Sequence, residues 1–379
     1  MDNLTHSLVG LTAAKAGLEK LSPGATTLCV LAANAPDSDI VVLAFGDRWS
    51  LLHHHRGITH AIVGVITLAI VLPLIFYGLD RLWSRYKDQP PHTNLKGLLI
   101  ASFIASATHP ILDWTNNYGI RWFLPWSQKW SYGDFVFIVD PYLWLILGGA
   151  AFLLTAKTRF LKVIWGVVAA VTTFLVVASP RSGGLPYPRL LAVVWIAIVV
   201  TLIVLMIKGA RERWGARIAF VAIVLAFCYW SLLAFAHSQA VVRGTEGAAK
   251  IANANGETVA RLAAMPRLAN PFHWDCAFET DRAMYRFDFS LLRPDASNAV
   301  RYEKPGPELK GVVDYVSQQR SAQIFLNFAR FPVLKIADPG CATTTLVQLA
   351  DLRYTEPGRS RGTFSFEMPI DCAVVRSGR

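Results

Sequence analysis

The sequence predicts an all-α polytopic membrane bundle of six long transmembrane helices plus two short amino-terminal helices, followed by a soluble, mainly-β carboxy-terminal domain. Three observations lead there. Of the 379 residues, 53% are hydrophobic and only 17% charged, and the mean hydropathy of +0.37 is too high for a wholly cytosolic globular protein. Six runs approach or exceed the length of about 20 apolar residues that crosses a hydrocarbon core. Finally, residues 1–237 hold 19 basic and 11 acidic groups while residues 238–379 hold 18 and 15. The charge density therefore roughly doubles near residue 238, which separates a membrane domain from a water-soluble one.

The amino terminus, Met1-Asp2-Asn3, lacks the basic start of a secretory signal, so no cleavage is expected there. Two short helices are expected over about 4–18 and 24–35, with Ser22-Pro23-Gly24 as the turn between them. The long spans follow at roughly 58–79, 97–113, 136–156, 163–179, 190–207 and 218–236. An Ala-rich helical stalk over 239–264 then leads into the soluble domain. There Tyr285, Phe287 and Phe289 alternate with Arg286, Asp288 and Ser290, and Phe364, Phe366 and Met368 repeat the pattern of half-buried strands. Cys276, Cys341 and Cys372 allow one disulfide and a spare thiol in this domain.

The net charge of +11 does not point to nucleic acid, because the basic residues fall in loops between apolar runs. Arg81, Arg85, Lys87 and Lys96 follow the first long span, Lys157, Arg159 and Lys162 the third, and Lys208, Arg211, Arg213 and Arg217 the fifth. The alternate loops carry only Arg121 and Lys129, or Arg181 and Arg189. Cytoplasmic loops are enriched in Lys and Arg, so the soluble domain is expected outside the cytoplasm, in the periplasm of a Gram-negative cell.

Ionisable groups in apolar segments are costly and by default mark a functional site. With that topology His6, Asp37, Asp39, His53 to His55, His60, His109, Asp113, Asp134 and Asp140 all fall toward the outer face. His109 and Asp113 are spaced i,i+4, so one helix face presents both. In Pro36-Asp37-Ser38-Asp39 the carboxylates are two apart and share a side of an extended segment. Imidazole with carboxylate suits a divalent ion, zinc first, with manganese or iron also compatible. Each group also has a plainer reading: Asp37 and Asp39 as helix caps, His109 with Asp113 as a hydrogen-bonded core pair, Asp140 as a buried structural acid. At most one of His53 to His55 is expected to bind metal, His55 being the candidate.

Thr5-His6-Ser7-Leu8-Val9-Gly10, Pro36-Asp37-Ser38-Asp39, His55-Arg56-Gly57-Ile58-Thr59-His60 and His109-Pro110-Ile111-Leu112-Asp113, followed by Tyr118-Gly119 and Asp140-Pro141, together resemble the YdjM-type family. The resemblance covers about residues 1–160 and implies a LexA-regulated, membrane-bound, metal-dependent hydrolase of the bacterial inner membrane. It carries over His6, Asp37, Asp39, His60, His109 and Asp113 as metal ligands. It departs at Ala61, where the family often has Ser.

A hydrolase of this kind would use Asp140 or Asp134 as general base or further ligand. Arg56 would neutralise an anionic substrate group, or else form a structural ion pair, for instance with Asp47. A site at this depth reaches lipid headgroups or lipid-linked precursors, so a membrane phosphoester is the expected substrate class. Two non-enzymatic alternatives remain: an ion or proton pathway through the bundle, and an anchor that presents the carboxy-terminal domain to a protein partner. The polar groups cluster at one face instead of crossing the bundle, which counts against a pathway.

Overall fold

The computed structural model describes residues 1–177, 189–293, 299–359 and 362–377; Arg181, counted above among the sparse loop charges, lies outside them. The protein is mostly helical, with a carboxy-terminal domain of antiparallel sheets. Its contacts divide it into two compact units. The first comprises Met1–Ser38, Arg56–Phe235 and Arg267–Pro271, and the second Asp39–His55, Ala236–Pro266 and Phe272–Arg379.

The first unit opens with α1 (Asn3–Ala16) and α2 (Ala25–Asn34). Asp2 caps α1 by accepting from the Thr5 amide at 3.0 Å, as short polar side chains do at helix starts. A 3-10 segment, Ala35–Ala44, extends α2. After a short helix α3 (Arg48–His54), which belongs to the second unit, come α4 (Ile62–Tyr86), α5 (Leu95–Trp114), α6 (Pro141–Thr155), α7 (Arg159–Val177), α8 (Arg189–Ile207), α9 (Ala210–Trp214) and α10 (Arg217–Ala254).

Helices α1, α2 and α5 pack against one another, α4 packs on α5, and α6 packs on α1, α7 and α8. The tight centre is built from small residues: Ala14, Ala25, Cys29, Ala32, Ala33, Ala101 and Ala105 are all buried there. A Cβ on Gly10 would come within 2.5 Å of the Cys29 carbonyl oxygen. Small side chains allow such close backbone approach where lipid supplies no hydrophobic drive between helices.

Among the described residues, six helical stretches are long and apolar enough to cross a membrane: Ala25–Ala44, Ile62–Tyr86, Leu95–Trp114, Arg159–Val177, Leu190–Ile207 and Arg217–Ala254. The set differs in one member from that read off the sequence. The third expected span, 136–156, is a helix only over the 15 residues Pro141–Thr155, because Asp140 caps it and Pro141 takes its first turn. The second short amino-terminal helix is instead lengthened by its 3-10 extension into a stretch of 20 residues.

The stalk expected over 239–264 also needs correction. Helix α10 runs unbroken to Ala254, the chain turns at Gly256 with φ 65°, and Val259 already begins a strand.

In the second unit, β1 (Val259–Arg267), β2 (Asn270–Thr280), β3 (Ala283–Ser290) and β4 (Val300–Glu303) form one sheet in that order. A second sheet joins β5 (Pro332–Ile336), β6 (Thr344–Asp351) and β7 (Ser365–Asp371), again in sequence order. The β2–β3 register sets Trp274 opposite Phe289, Cys276 opposite Phe287 and Phe278 opposite Tyr285. All six are buried, together with Ala240, Ala248 and Ala252 of α10, so the alternation read from the sequence around Tyr285 is the core face of β3.

Phe366 and Met368 are likewise buried on β7, but Phe364 lies in a 3-10 turn just before it. Helices α11 (Lys310–Gln318) and α12 (Arg320–Phe328) contribute Val312, Val316, Ala322 and Phe325 to the core of the second sheet. Cys341 and Cys372 form a disulfide, while Cys276 is a buried free thiol.

Candidate metal centre

Three elements of the first unit bring four donor groups together. Helix α5 runs through Pro110 without a break and holds His109 and Asp113 one turn apart, with His109 Nε2 3.5 Å from Asp113 Oδ2. The turn before α4 supplies His60, whose Nε2 lies 3.4 Å from the same Oδ2. Asp37, on the 3-10 extension of α2, places Oδ1 3.3 Å from His60 Nε2 and 3.6 Å from His109 Nε2. The two imidazole nitrogens are themselves 3.1 Å apart. All four donor atoms lie within 4.8 Å of one another.

The tautomers follow from the surroundings. His109 Nδ1 is 2.6 Å from the Ala33 carbonyl oxygen, and a carbonyl can only accept. Nδ1 therefore carries a hydrogen and Nε2 is the nitrogen turned toward the cluster, the usual arrangement that orients a ligating histidine. His60 Nδ1 is held by Thr59 Oγ1 at 3.1 Å.

Two facing imidazole nitrogens beside two carboxylates form a donor set that a divalent cation satisfies. Five of the six edges, 3.1 to 3.6 Å, are near the edge of about 3.3 Å of a tetrahedron with metal–ligand bonds of about 2.0 Å. His60, His109 and Asp113 are at most 1% exposed, and Asp37 is 15% exposed. Only the Asp37 corner thus opens outward.

The other carboxylate oxygen of Asp113 faces a second shell of charge. Oδ1 accepts from the Met1 amino group and from Arg56 Nη2 at 3.0 Å, and His6 Nε2 lies 3.4 Å away. The His6 ring stacks on His109 with centroids 3.8 Å apart. Arg56 takes a left-handed backbone conformation, φ 52°. Its Nη1 donates to Asn116 Oδ1 at 2.9 Å and to the carbonyls of Asp113 and Gly119, each at 3.1 Å, and its guanidinium lies over the Tyr118 ring.

Of the two readings of Arg56, the geometry has the ion pair, with Asp113 as partner. Asp47 instead caps α3, accepting from the amides of Trp49 and Ser50.

Asp39 and His55 belong to the second unit, where His55 Nδ1 is 3.1 Å from Asp39 Oδ1. Asp134 is buried on the connection between α5 and α6, at φ 60°. Asp140 caps α6, accepting from the Tyr142 and Leu143 amides at 2.8 and 3.2 Å, and its second oxygen accepts from Tyr229 at 2.9 Å. Asn116, which orients Arg56, went unnoticed in the sequence; its place between Trp114 and the noted Tyr118-Gly119 pair was the available signal. The Ala33 carbonyl that sets the His109 tautomer is a backbone group and leaves no sequence signal at all.

A helical bundle of membrane-crossing length enclosing a buried His2Asp2 cluster defines a multi-pass membrane protein with a candidate metal centre. Residues 1–184 match the family of the YdjM inner membrane protein.

Two curated relatives match part of the chain at 27% identity. One is the uncharacterized protein YfhP of Bacillus subtilis, over 38% of this chain and 43% of that protein. The other is the inner membrane protein YbcI of Escherichia coli, over 33% of this chain and 68% of that protein. The chain thus spans less than half the length of YfhP. No solved structure matches.

Proposed function

We propose that the protein is a membrane-embedded metal-dependent hydrolase acting on a phosphoester at the membrane surface. One observation carries this reading: four donors from three separate elements lie within 4.8 Å of one another inside a bundle of membrane-crossing helices. His60, His109, Asp37 and Asp113 hold the ion, zinc being favoured by the two imidazoles and the near-tetrahedral spacing. A divalent ion so bound lowers the pKa of a water and polarises a phosphoryl oxygen.

The chain's own residues do the rest. Arg56 fixes Asp113 through Oδ1 so that Oδ2 stays aimed at the imidazoles. The Ala33 carbonyl keeps His109 in the ligating tautomer. The Asp37 corner is where a substrate or water approaches. Asp140, held by two amides and a tyrosine hydroxyl, belongs on this reading to the scaffold.

The Cys341–Cys372 disulfide supports placing the carboxy-terminal domain in an oxidising compartment, in line with the sparse basic residues of the loops assigned to that side. The inner membrane and the periplasm are the corresponding locations. A protein partner for that domain remains an expectation of the sequence alone.

The test is elemental mass spectrometry of the detergent-purified protein beside a His109→Ala/Asp113→Ala double variant, followed by phosphodiester and phospholipid hydrolysis assays. One or more transition-metal ions per chain, lost in the double variant together with turnover, is the expected result. A protein that takes up no zinc, manganese or iron on reconstitution would end this reading.

A further inference from the structure

A second concavity of the first unit lies apart from the His/Asp cluster. It is a groove of about 270 Å³ walled by α6, α7 and α8 and closed on one side by Leu4 and Leu8 of α1. Leu4 and Leu8 are one turn apart on α1, whereas His6, midway between them, falls on another face. The groove and the His6 ring stacked on His109 therefore use different sides of the same helix.

Glycines make the groove. Gly148 and Gly149 of α6 and Gly166 of α7 line it, and a Cβ added to Gly166 would meet nothing within 4 Å. Its other walls are apolar, and the tryptophans among them have their polar edge turned away: Trp165 Nε1 donates to Thr155 Oγ1 at 2.8 Å and Trp195 Nε1 to Thr173 Oγ1 at 2.9 Å.

One charged residue breaks this lining. Lys162, in the first turn of α7, is exposed and makes no ion pair among the described residues. From Lys162 the groove follows α7 as far as Thr172, ten residues or about 15 Å at the helical rise. That is half of a hydrocarbon core of about 30 Å, the depth of one leaflet.

We propose that this groove is a binding site for one anionic phospholipid, its acyl chain lying between α6, α7 and α8 and its phosphate against Lys162. Charge and depth choose the occupant together. An ammonium at the mouth of an apolar slot one leaflet deep complements a molecule with an anionic head and a leaflet-length tail, and basic pockets between membrane helices recognise such headgroups. Lys157 and Arg159, exposed just before Lys162, add to the attraction. The leaflet is the one these residues face, the cytoplasmic one by the distribution of basic loops. The site is independent of the hydrolase reading, since none of its residues belongs to the metal cluster.

The experiment is native mass spectrometry of the full chain in detergent, equilibrated with equal amounts of phosphatidylglycerol and phosphatidylcholine. The unaltered protein is expected to retain phosphatidylglycerol preferentially. Lys162→Gln should cut that preference about fivefold, the effect of one basic residue near a lipid headgroup. Gly166→Leu, which fills the slot with a good helix former, should retain neither lipid. A Lys87→Gln control, altering a basic residue outside the groove, should behave like the unaltered protein.

Equal retention of the two lipids by the unaltered protein would overturn the proposal, as would lipid retention unchanged by both groove variants. A dimer that Gly166→Leu dissociates would also overturn it, by assigning the groove to a second copy of the chain. Lys162→Gln leaves the groove walls intact, so it decides the question even if Gly166→Leu fails to fold.

Discussion

Arg56 shows how one side chain can be committed before any substrate arrives. Its guanidinium is 2% exposed and its donors meet Asp113, Asn116 and Gly119. Removing one partner of a buried pair leaves the other uncompensated, at a cost of about 3–5 kcal/mol. Arg56→Gln should therefore lower the thermal unfolding temperature in detergent markedly. Arg56→Lys should also be impaired, because an ammonium cannot reproduce the planar fork. If Arg56→Gln unfolds like the unaltered protein and only turnover falls, the residue serves substrate instead of Asp113.

Asp140 makes a milder case. Asp140→Ala removes a helix cap and should cost about 1 kcal/mol, whereas Asp140→Asn keeps the cap. Full turnover by the Asn variant in a hydrolysis assay would agree with a structural role; a loss of turnover without loss of stability would make Asp140 a catalytic residue.

Among the elements, strand β3 and helix α5 were legible and the segment around residue 255 was not. The alternation of Tyr285, Phe287 and Phe289 with polar neighbours marks a strand by a period of two, and the i,i+4 spacing of His109 and Asp113 marks one helix face; both patterns are local. Alanine-rich sequence favours a helix, however, and tertiary packing overrides that preference in β1. Ala263 and Ala264 are buried on that strand.

The donors of the cluster were legible as residue types, but their grouping was not. Asp37, His60 and the His109–Asp113 pair lie far apart in the chain, and only the packing of α2, α4 and α5 brings their donors within reach of one another.

The buried Glu257 ties the loop before β1 to β2, β3 and β4, and it gives the carboxy-terminal unit a defined pH response. Burial alone would raise its pKa. The bonds from Thr280, Arg301 and Tyr285 outweigh burial and hold the carboxyl below the ordinary glutamate value. The native state then binds fewer protons than the unfolded one, so this contribution is present in full above the unfolded pKa of about 4.3 and is lost as pH falls through the lower native value. Hydrogen-exchange protection of β2 and β3, corrected for intrinsic rates, should fall between about pH 5 and pH 3. In Glu257→Gln it should begin lower at neutral pH and change less over that interval. An identical pH response in the variant would remove Glu257 from the account.

The Cys341–Cys372 bond closes a sequence separation of 31 residues, a loop size at which such a link contributes about 3–4 kcal/mol. Reducing it, or replacing both residues by serine, should make the β5–β7 sheet protease-sensitive while leaving the membrane-crossing helices intact. Unchanged cleavage would show the second sheet to be stable on its packing alone.

At the scale of the whole molecule, the orientation is testable by fusing reporters to the full chain. With basic loops inside, an alkaline phosphatase joined at the carboxy terminus should be active and a green fluorescent protein at the same place dark. The opposite result would turn the carboxy-terminal domain toward the cytoplasm. Composition and hydropathy were enough to read six membrane-capable helices and a carboxy-terminal domain with sheets, because both reflect transfer between water and lipid, which acts on each segment in bulk.

The shortness of α6 has a consequence for the lipid around it. Fifteen residues rise about 22 Å, short of a hydrocarbon core of about 30 Å. Where a helix is too short, the bilayer yields by thinning. A depression in the lipid beside α6 would draw headgroups and water toward the level of Asp140 and ease the passage of a polar lipid head to a depth that a flat membrane denies it. On that account hydrophobic mismatch becomes part of the protein's working geometry, and bilayers made from progressively longer acyl chains should weaken the proposed hydrolysis even when every residue of the candidate metal centre is in place.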